Sequence, residues 1–259
     1  MCLLVLAWQA HPRYHLIVAA NRDEYHDRAA AALAPWPDAP HLIAGRDQRA
    51  GGTWLGMDRQ RRFGIITNFR DLQRPRPDGP SRGALIPGYL SQGAGAEAYL
   101  KTLAPTASGY SGFNLLLADG DSLWYATNRS EPFARLLQPG VHGLSNHSLD
   151  TPWPKLLRVR QRFEEWLRAS SSLAAGELFD MLNDREPAPD DASIPVGLTP
   201  ELARALSAPF VLNPVYGTRC STVLMLEASG AMNLIERRFD ASGRLSGETI
   251  FELSAAEWP

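Results

Sequence analysis

The chain has 259 residues and a formal net charge of −2, and 44% of its residues are hydrophobic. A chain of this length and composition can bury a large core, so we predict a single domain over residues 1–259. Because the charges nearly balance, no basic field favours nucleic acid or anionic lipid as a partner. The two cysteines, Cys2 and Cys220, give no disulfide framework, which predicts a reducing compartment.

The first ten residues are apolar, but they lack the basic start and the cleavage site of a signal peptide. Arg13 interrupts this apolar run far short of the roughly 20 residues that a membrane-spanning helix needs. We therefore expect a cytoplasmic protein without a membrane span.

Patterns of strands and helices follow one another along the chain. Alternating apolar runs bounded by turn residues predict strands at residues 2–8, 14–20, 51–57, 62–68, 113–118, 122–127, 133–137, 141–144, 222–226, 232–236 and 248–253. Helical periodicity predicts helices at residues 81–89, 96–104, 154–167, 174–182 and 200–206. Loops are predicted at residues 29–40, 70–80 and 186–194, which are rich in proline. Hairpins at both ends with helices between them indicate antiparallel sheets covered by helices, an α+β layered fold.

The first predicted hairpin brings Cys2 to a charged segment. In an antiparallel ladder the numbers of paired residues add to a constant, here about 23–25 for a turn centred near Pro12. Cys2 is therefore predicted to lie opposite a residue between Asn21 and Asp23. A cation there would stabilise a thiolate, and a carboxylate would orient an α-amine or accept its proton.

Cys2 directly follows the initiator methionine. If Met1 is removed, one residue carries both a thiol and an α-amine, and that amine, with a pKa of about 7.7–8.0, can accept the thiol proton. The alternative is a buried first strand in which Cys2 is only a small hydrophobic residue.

Three further polar residues occupy unusual positions in the sequence. Asn68 ends an apolar strand, Asn146 follows another, and Arg219 lies at the entrance of a third. Asparagine amides are good oxyanion donors, and an arginine can bind a carboxylate or tune a thiolate. The simpler interpretation is a turn role for each asparagine and a surface position for the arginine.

Six motifs resemble, in order and over nearly the full chain, those of the NRDE family, the family of transport and Golgi organisation protein 2. They are Asn21-Arg22-Asp23-Glu24, Gly51-Gly52-Thr53-Trp54-Leu55-Gly56, Thr67-Asn68-Phe69-Arg70-Asp71, Gly143-Leu144-Ser145-Asn146, Leu149-Asp150-Thr151-Pro152-Trp153-Pro154-Lys155 and Tyr216-Gly217-Thr218-Arg219. Cys220 departs from the pattern, because a small hydroxyl residue is expected there.

The NRDE family in turn resembles the N-terminal nucleophile (Ntn) hydrolases, particularly cysteine acylases that cleave amides. This resemblance implies a four-layer αββα sandwich and a C–N amide hydrolase that needs no cofactor or metal and acts on an acylated small molecule. The implied catalytic residues are Cys2 as nucleophile, Arg22 and Asp23 beside it, Asn146 at the oxyanion and Arg219. Candidates for substrate binding are Asn21, Asn68 and Trp54.

Two alternatives to catalysis remain open at this point. The family is associated with intracellular haem trafficking and with lipid or acyl-CoA homeostasis, so the same cleft could bind haem or an acyl ligand without turnover. The histidines we would test as haem ligands are His26 and His147, although a lone histidine is more often a hydrogen-bonded surface residue. The second alternative is a docking protein whose tryptophans pack the core.

Overall fold

We describe a computed structural model of the chain, covering residues 2–71, 78–169, 173–189 and 199–259. The strands are β1 (Cys2–Trp8), β2 (Tyr14–Tyr25), β3 (Ala30–Trp36), β4 (Ala39–Asp47), β5 (Leu55–Asp58), β6 (Phe63–Asn68), β7 (Phe113–Asp119), β8 (Ser122–Thr127), β9 (Ala134–Leu136), β10 (Gly140–Leu144), β11 (Tyr216–Glu227), β12 (Met232–Phe239) and β13 (Leu245–Leu253). The α-helices are α1 (Leu85–Leu90), α2 (Ala96–Leu103), α3 (Pro154–Ala169), α4 (Ala175–Leu182) and α5 (Pro200–Ala205). Short 3₁₀ helices cover Arg82–Ala84 and Ala104–Gly109. In these parts of the chain, no helix has the length and apolar character required to cross a membrane.

The chain divides into two compact units, which we describe separately. The first comprises Met1–Asp27, Pro139–Ser145 and Leu149–Glu257. Its sheet has six antiparallel strands in the order β10-β1-β2-β11-β12-β13. The two longest strands, β2 and β11, are neighbours at the centre of this sheet.

One face of the first sheet packs against α3 and α4. Alternate residues of β1, such as Leu3 and Val5, join Phe163 of α3 and Leu182 of α4 in a single buried cluster. Successive side chains of a strand point to opposite faces, so Cys2 and Leu4 belong to the other face. Leu4 is also buried, so both faces of this strand are shielded from solvent.

The second unit comprises Arg28–Gln138, Asn146–Ser148 and Trp258–Pro259. Its seven strands are antiparallel and follow chain order, from β3 at one edge to β9 at the other. Helices α1 and α2 cover one face of this sheet, and Tyr89 and Tyr99 lie at the centre of the shared core. Both phenol groups are hydrogen-bonded, to the carbonyl oxygens of Ala118 and Leu85 respectively.

The predicted α+β fold of antiparallel sheets with helices is confirmed, since each unit contains a sheet layer and a helix layer. Every predicted strand and helix is present, and Ser81 accepts the capping hydrogen bond from Gly83 at the start of the first helical segment. The strands β2 and β11 are longer than predicted, reaching Tyr25 and starting at Tyr216. These extensions carry most of the candidate site.

The prediction of a surface loop at residues 29–40 is wrong, because this segment forms β3 and the start of β4. Leu33 and Trp36 are buried, and the alanines around Leu33 give too weak an alternation of apolar and polar residues to indicate a strand. Pro35 is compatible with β3 because β3 is an edge strand, where a missing N–H group is tolerated.

Two other predicted loops lie partly outside the described residues. In the segment 70–80 the structure describes residues 70–71 and 78–80, and in the segment 186–194 it describes residues 186–189, none of which is helix or strand.

Candidate functional site

Cys2 and Arg22 face each other in the ladder between β1 and β2. This pairing confirms the predicted register, which placed Cys2 opposite a residue between Asn21 and Asp23. Cys220 of β11 lies opposite the same arginine from the other side. Directly paired residues point to the same face of a sheet, so Arg22 lies between the two cysteines on one face.

Burial governs the acidity of the Cys2 thiol. Desolvation raises its pKa, and the Asp23 carboxylate raises it further, while a hydrogen bond with the Asp23 backbone and the charge of Arg22 lower it. We expected Arg22 to favour the thiolate, and it acts in that direction, but burial outweighs it. The Cys2 thiol therefore needs a proton acceptor to become a nucleophile.

The Asp23 carboxylate is buried at the next position of β2, with 3% of the residue exposed. Its Oδ1 accepts a 2.6 Å hydrogen bond from the Thr218 hydroxyl. Burial raises the pKa of Asp23, while the charges of Lys155 and Arg22 and the Thr218 hydrogen bond lower it. A buried carboxyl whose pKa is shifted by burial and by neighbouring charges is a candidate functional residue.

Arg219 is the extra residue of a β-bulge. The ladder between β2 and β11 pairs Thr218 with Asp23 and Cys220 with Arg22, which leaves Arg219 without an opposite residue. Bulges redirect a side chain, and here the guanidinium Nη1 of Arg219 reaches Nδ1 and the carbonyl oxygen of His26, at 2.9 and 3.3 Å. Within the described residues, these are the only hydrogen bonds of this half-buried guanidinium, so its Nε and Nη2 can still bind an anion.

His26, a predicted haem ligand, is hydrogen-bonded through both ring nitrogens. Its Nδ1 accepts from Arg219, and its Nε2 lies 2.9 Å from the carbonyl oxygen of Asn213, to which it donates. Both ring nitrogens are therefore occupied in the neutral form, and binding iron would break one of these hydrogen bonds. His26 orients Arg219 in this structure, and its role as a haem ligand stays a prediction.

Asn21, predicted to bind substrate, is hydrogen-bonded within the first unit. It is 1% exposed, and its Nδ2 donates to the carbonyl oxygens of Leu182 and Pro209. Its Oδ1 accepts from the Ser221 hydroxyl at 2.6 Å. Asn21 precedes Arg22 on the same strand, so it points to the helix-covered face, opposite Cys2. It joins α4 to the sheet in this structure, and its role in substrate binding stays a prediction.

In the second unit, Asn68 and Asn146 are brought together. The Asn146 Nδ2 donates to the Asn68 carbonyl oxygen at 2.8 Å, and the Asn146 carbonyl oxygen accepts from the Arg70 N–H at 2.7 Å. Asn146 is buried and has a φ of 56°, a left-handed conformation that asparagine tolerates better than most residues. The Asn68 residue is exposed.

The other two candidates of the second unit lie in different surroundings. His147 is exposed, and its ring centroid is 5.0 Å from that of Phe69. The Trp54 ring is half-buried over Gly45, where any side-chain carbon would lie only 2.4 Å from the ring. Gly45 is therefore required for Trp54 to adopt this position.

Three residues around the two cysteines and Asp23 were not predicted from the sequence. Thr218 belongs to a quoted motif, and its position at the start of β11 is the signal that could have identified it. Lys155 is buried and donates from Nζ to the Leu206 carbonyl oxygen at 2.9 Å. Glu236, 1% exposed, is hydrogen-bonded to the Cys220 thiol, and burial together with this carboxylate raises the pKa of Cys220 well above its ordinary value.

The fold and site together define an α+β protein whose first strand carries a cysteine paired with an arginine, with a buried aspartate at the next position of the neighbouring strand. The family model described as Transport and Golgi organisation 2 matches residues 1–241. The chain belongs to this family, which confirms the resemblance found in the motifs.

Two relatives support this membership. The chain is 35% identical over 257 residues to the mouse "Transport and Golgi organization 2 homolog", covering 92% of each chain. The human homolog is 35% identical over 259 residues, again with 92% of each chain covered. Among solved structures, the Caenorhabditis elegans N-acylethanolamine-hydrolyzing acid amidase ortholog is similar with a TM-score of 0.49 and 11% identity, covering 86% of this chain and 92% of that one. A likeness this distant says nothing about activity.

Proposed function

We propose that this protein is a cysteine hydrolase of the N-terminal nucleophile type, acting on the C–N amide bond of an acylated small molecule. The observation that supports this most directly is the pairing of Cys2 with Arg22, with the buried Asp23 carboxylate beside them. Such a nucleophile requires Met1 to be removed, so that the α-amine belongs to Cys2 itself.

In the proposed acylation step, the α-amine of Cys2 accepts the thiol proton and the sulfur attacks the amide carbonyl carbon. A C–S bond forms, and the carbonyl π electrons move to oxygen. When the tetrahedral intermediate collapses, the C–N bond breaks and the leaving amine receives the proton from the ammonium group. Water then hydrolyses the thioester, which releases a carboxylic acid and restores the thiol.

The charged neighbours of Cys2 have separate proposed roles. Arg22, on the same face, offsets negative charge near the sulfur, and Asp23 holds the α-amine in its charged form between the two proton transfers. Arg219 is proposed to bind an anionic group of the substrate through Nε and Nη2. The oxyanion role that the family resemblance gives to Asn146 stays a prediction, as does the cytoplasmic location.

The test pairs an enzyme assay with a ligand titration. N-acyl amino acids and acyl-CoA are screened for hydrolysis, and haem is titrated, on wild type, Cys2→Ala, Arg219→Ala and His26→Ala. The matched control is Cys220→Ala, which removes the other cysteine that faces Arg22. We expect turnover to be abolished in Cys2→Ala, weakened in Arg219→Ala and retained in the control.

Two outcomes would contradict the hydrolase proposal. Saturable one-to-one haem binding without hydrolysis, weakened by a single substitution, would indicate a haem carrier. If neither wild type nor any of the variants shows hydrolysis or haem binding, a docking protein becomes the better description. A pull-down with the intact chain would then follow.

A further inference from the structure

We propose that Thr218 is a positioning residue, which fixes the Asp23 carboxylate beside Cys2. This inference rests on the proposed hydrolase function, in which Asp23 holds the α-amine of the nucleophile. Thr218 itself makes no contact with a reacting atom.

The direction of the hydrogen bonds at Thr218 is determined by its neighbours. The Val211 N–H donates to the Thr218 hydroxyl oxygen at 2.9 Å, which occupies one of its lone pairs. Asp23 Oδ1, at 2.6 Å, is an acceptor when ionised, so the hydroxyl proton points to the carboxylate. A short hydrogen bond to a charged acceptor is among the stronger polar interactions in proteins.

Thr218 is itself held in place by its neighbours. It lies directly opposite Asp23 in the ladder between β2 and β11, and its N–H donates to the Val211 carbonyl oxygen at 2.9 Å. The residue is 1% exposed, and its β-branched side chain has few rotamers. The hydroxyl group is therefore preorganised, and so is the carboxylate that it binds.

Several charged or titratable groups lie around Asp23. They are Cys2 of β1, Arg22 of β2, Lys155 of α3 and, in the proposed mature protein, the α-amine of Cys2. The Tyr216 hydroxyl of β11 donates to the Asp23 carbonyl oxygen at 2.8 Å. Burial raises the pKa of Asp23 and the Thr218 hydroxyl opposes that rise, so losing the hydroxyl should favour the protonated carboxyl.

The experiment compares Thr218→Val, which keeps the shape but lacks the hydroxyl, with Thr218→Ser, which keeps it. The carboxyl carbons of aspartate are labelled with ¹³C and titrated by NMR, and the Asp23 signal is assigned by its loss in Asp23→Asn. We expect the Asp23 carboxyl to titrate at higher pH in Thr218→Val than in wild type. In Thr218→Ser it should titrate as in wild type. Turnover should fall at least about tenfold in Thr218→Val, as expected for a lost hydrogen bond to a charged group.

Thr218→Val also leaves the Val211 N–H without its acceptor, so this variant could fail to fold. Thr218→Ala is the second variant, since its smaller side chain leaves room for a water molecule at that N–H. The matched control is Ser221→Ala on the same strand, which removes a buried hydroxyl donated to Asn21. It should lose stability without moving the Asp23 titration or turnover.

If the Asp23 titration is unchanged in folded Thr218→Val or Thr218→Ala, the proposed role of Thr218 is overturned. This holds at any level of turnover. An equal shift in Ser221→Ala would also overturn it, because a general loss of packing would then explain the result. The hydrolase proposal fails separately, if wild type hydrolyses no acyl substrate while the titration still responds to Thr218.

Discussion

Cys2 and Arg22 form a direct cross-strand pair, and Cys220 pairs with the same arginine from the opposite strand. The two thiols therefore share one cationic neighbour on one face of the sheet. Their other surroundings differ. Cys2 is half-buried at the start of β1, whereas Cys220 is 4% exposed within β11 and hydrogen-bonded to Glu236.

We expect Cys2 to be alkylated faster than Cys220. Burial raises the pKa of both thiols, but the Glu236 carboxylate raises that of Cys220 as well, and access to Cys220 is poorer. Competitive labelling with iodoacetamide near neutral pH, followed by peptide mass analysis, measures the two rates. In denaturant the rates should converge, and faster labelling of Cys220 in the folded protein would contradict the proposed nucleophile.

We also expect the mature chain to begin at Cys2, because the proposed mechanism needs the α-amine on that residue. Intact mass of protein purified from its own host should show the loss of one methionine. A variant with Cys2→Leu is a suitable control, since a large second residue hinders removal of the initiator. Full retention of Met1 in the wild-type protein would eliminate the amine as the proton acceptor.

The position of Cys2 could be predicted from the sequence because a tight turn fixes the register of the hairpin that follows it. The hydrogen-bond partners of Asn21 and His26 could not. Asn21 is directed to the helix-covered face by the two-residue period of β2, and it is bound to carbonyl groups more than 160 residues away in the chain. His26 meets Arg219 only through a bulge, which inserts a residue without a clear signal in local composition.

Replacing Asp23 by asparagine should stabilise the folded protein at neutral pH. The pKa of Asp23 is raised in the folded state, so folding favours the protonated carboxyl. Its contribution to stability is therefore present at acid pH and is lost as the pH rises from the ordinary aspartate value through the raised one. Asparagine is neutral throughout and keeps an oxygen that can accept from Thr218.

The measurement is the melting temperature of wild type and Asp23→Asn at about pH 4 and pH 7. The variant should be the more stable protein at neutral pH, and the difference should shrink in acid. If wild type is the more stable protein at pH 7, the charges of Arg22 and Lys155 stabilise the ionised carboxylate by more than its burial destabilises it. Loss of turnover with a gain in stability would be typical of a functional residue.

Gly52 should be intolerant of any side chain because it lies against the backbone of Gly83. A Cβ at Gly52 would lie 2.3 Å from the Gly83 carbonyl carbon and oxygen, and the next residue, Thr53, donates its N–H to that same oxygen. The clash is with backbone, which cannot rotate away, so we expect Gly52→Ala to lower the free energy of unfolding by about 1–3 kcal/mol.

The matched control is Gly93→Ala, whose Cβ meets nothing within 4 Å. Urea denaturation should show the loss for Gly52→Ala and a change within about 0.5 kcal/mol for the control. Equal stability of the two variants would mean that the Gly51–Gly52 segment does not require this contact with Gly83.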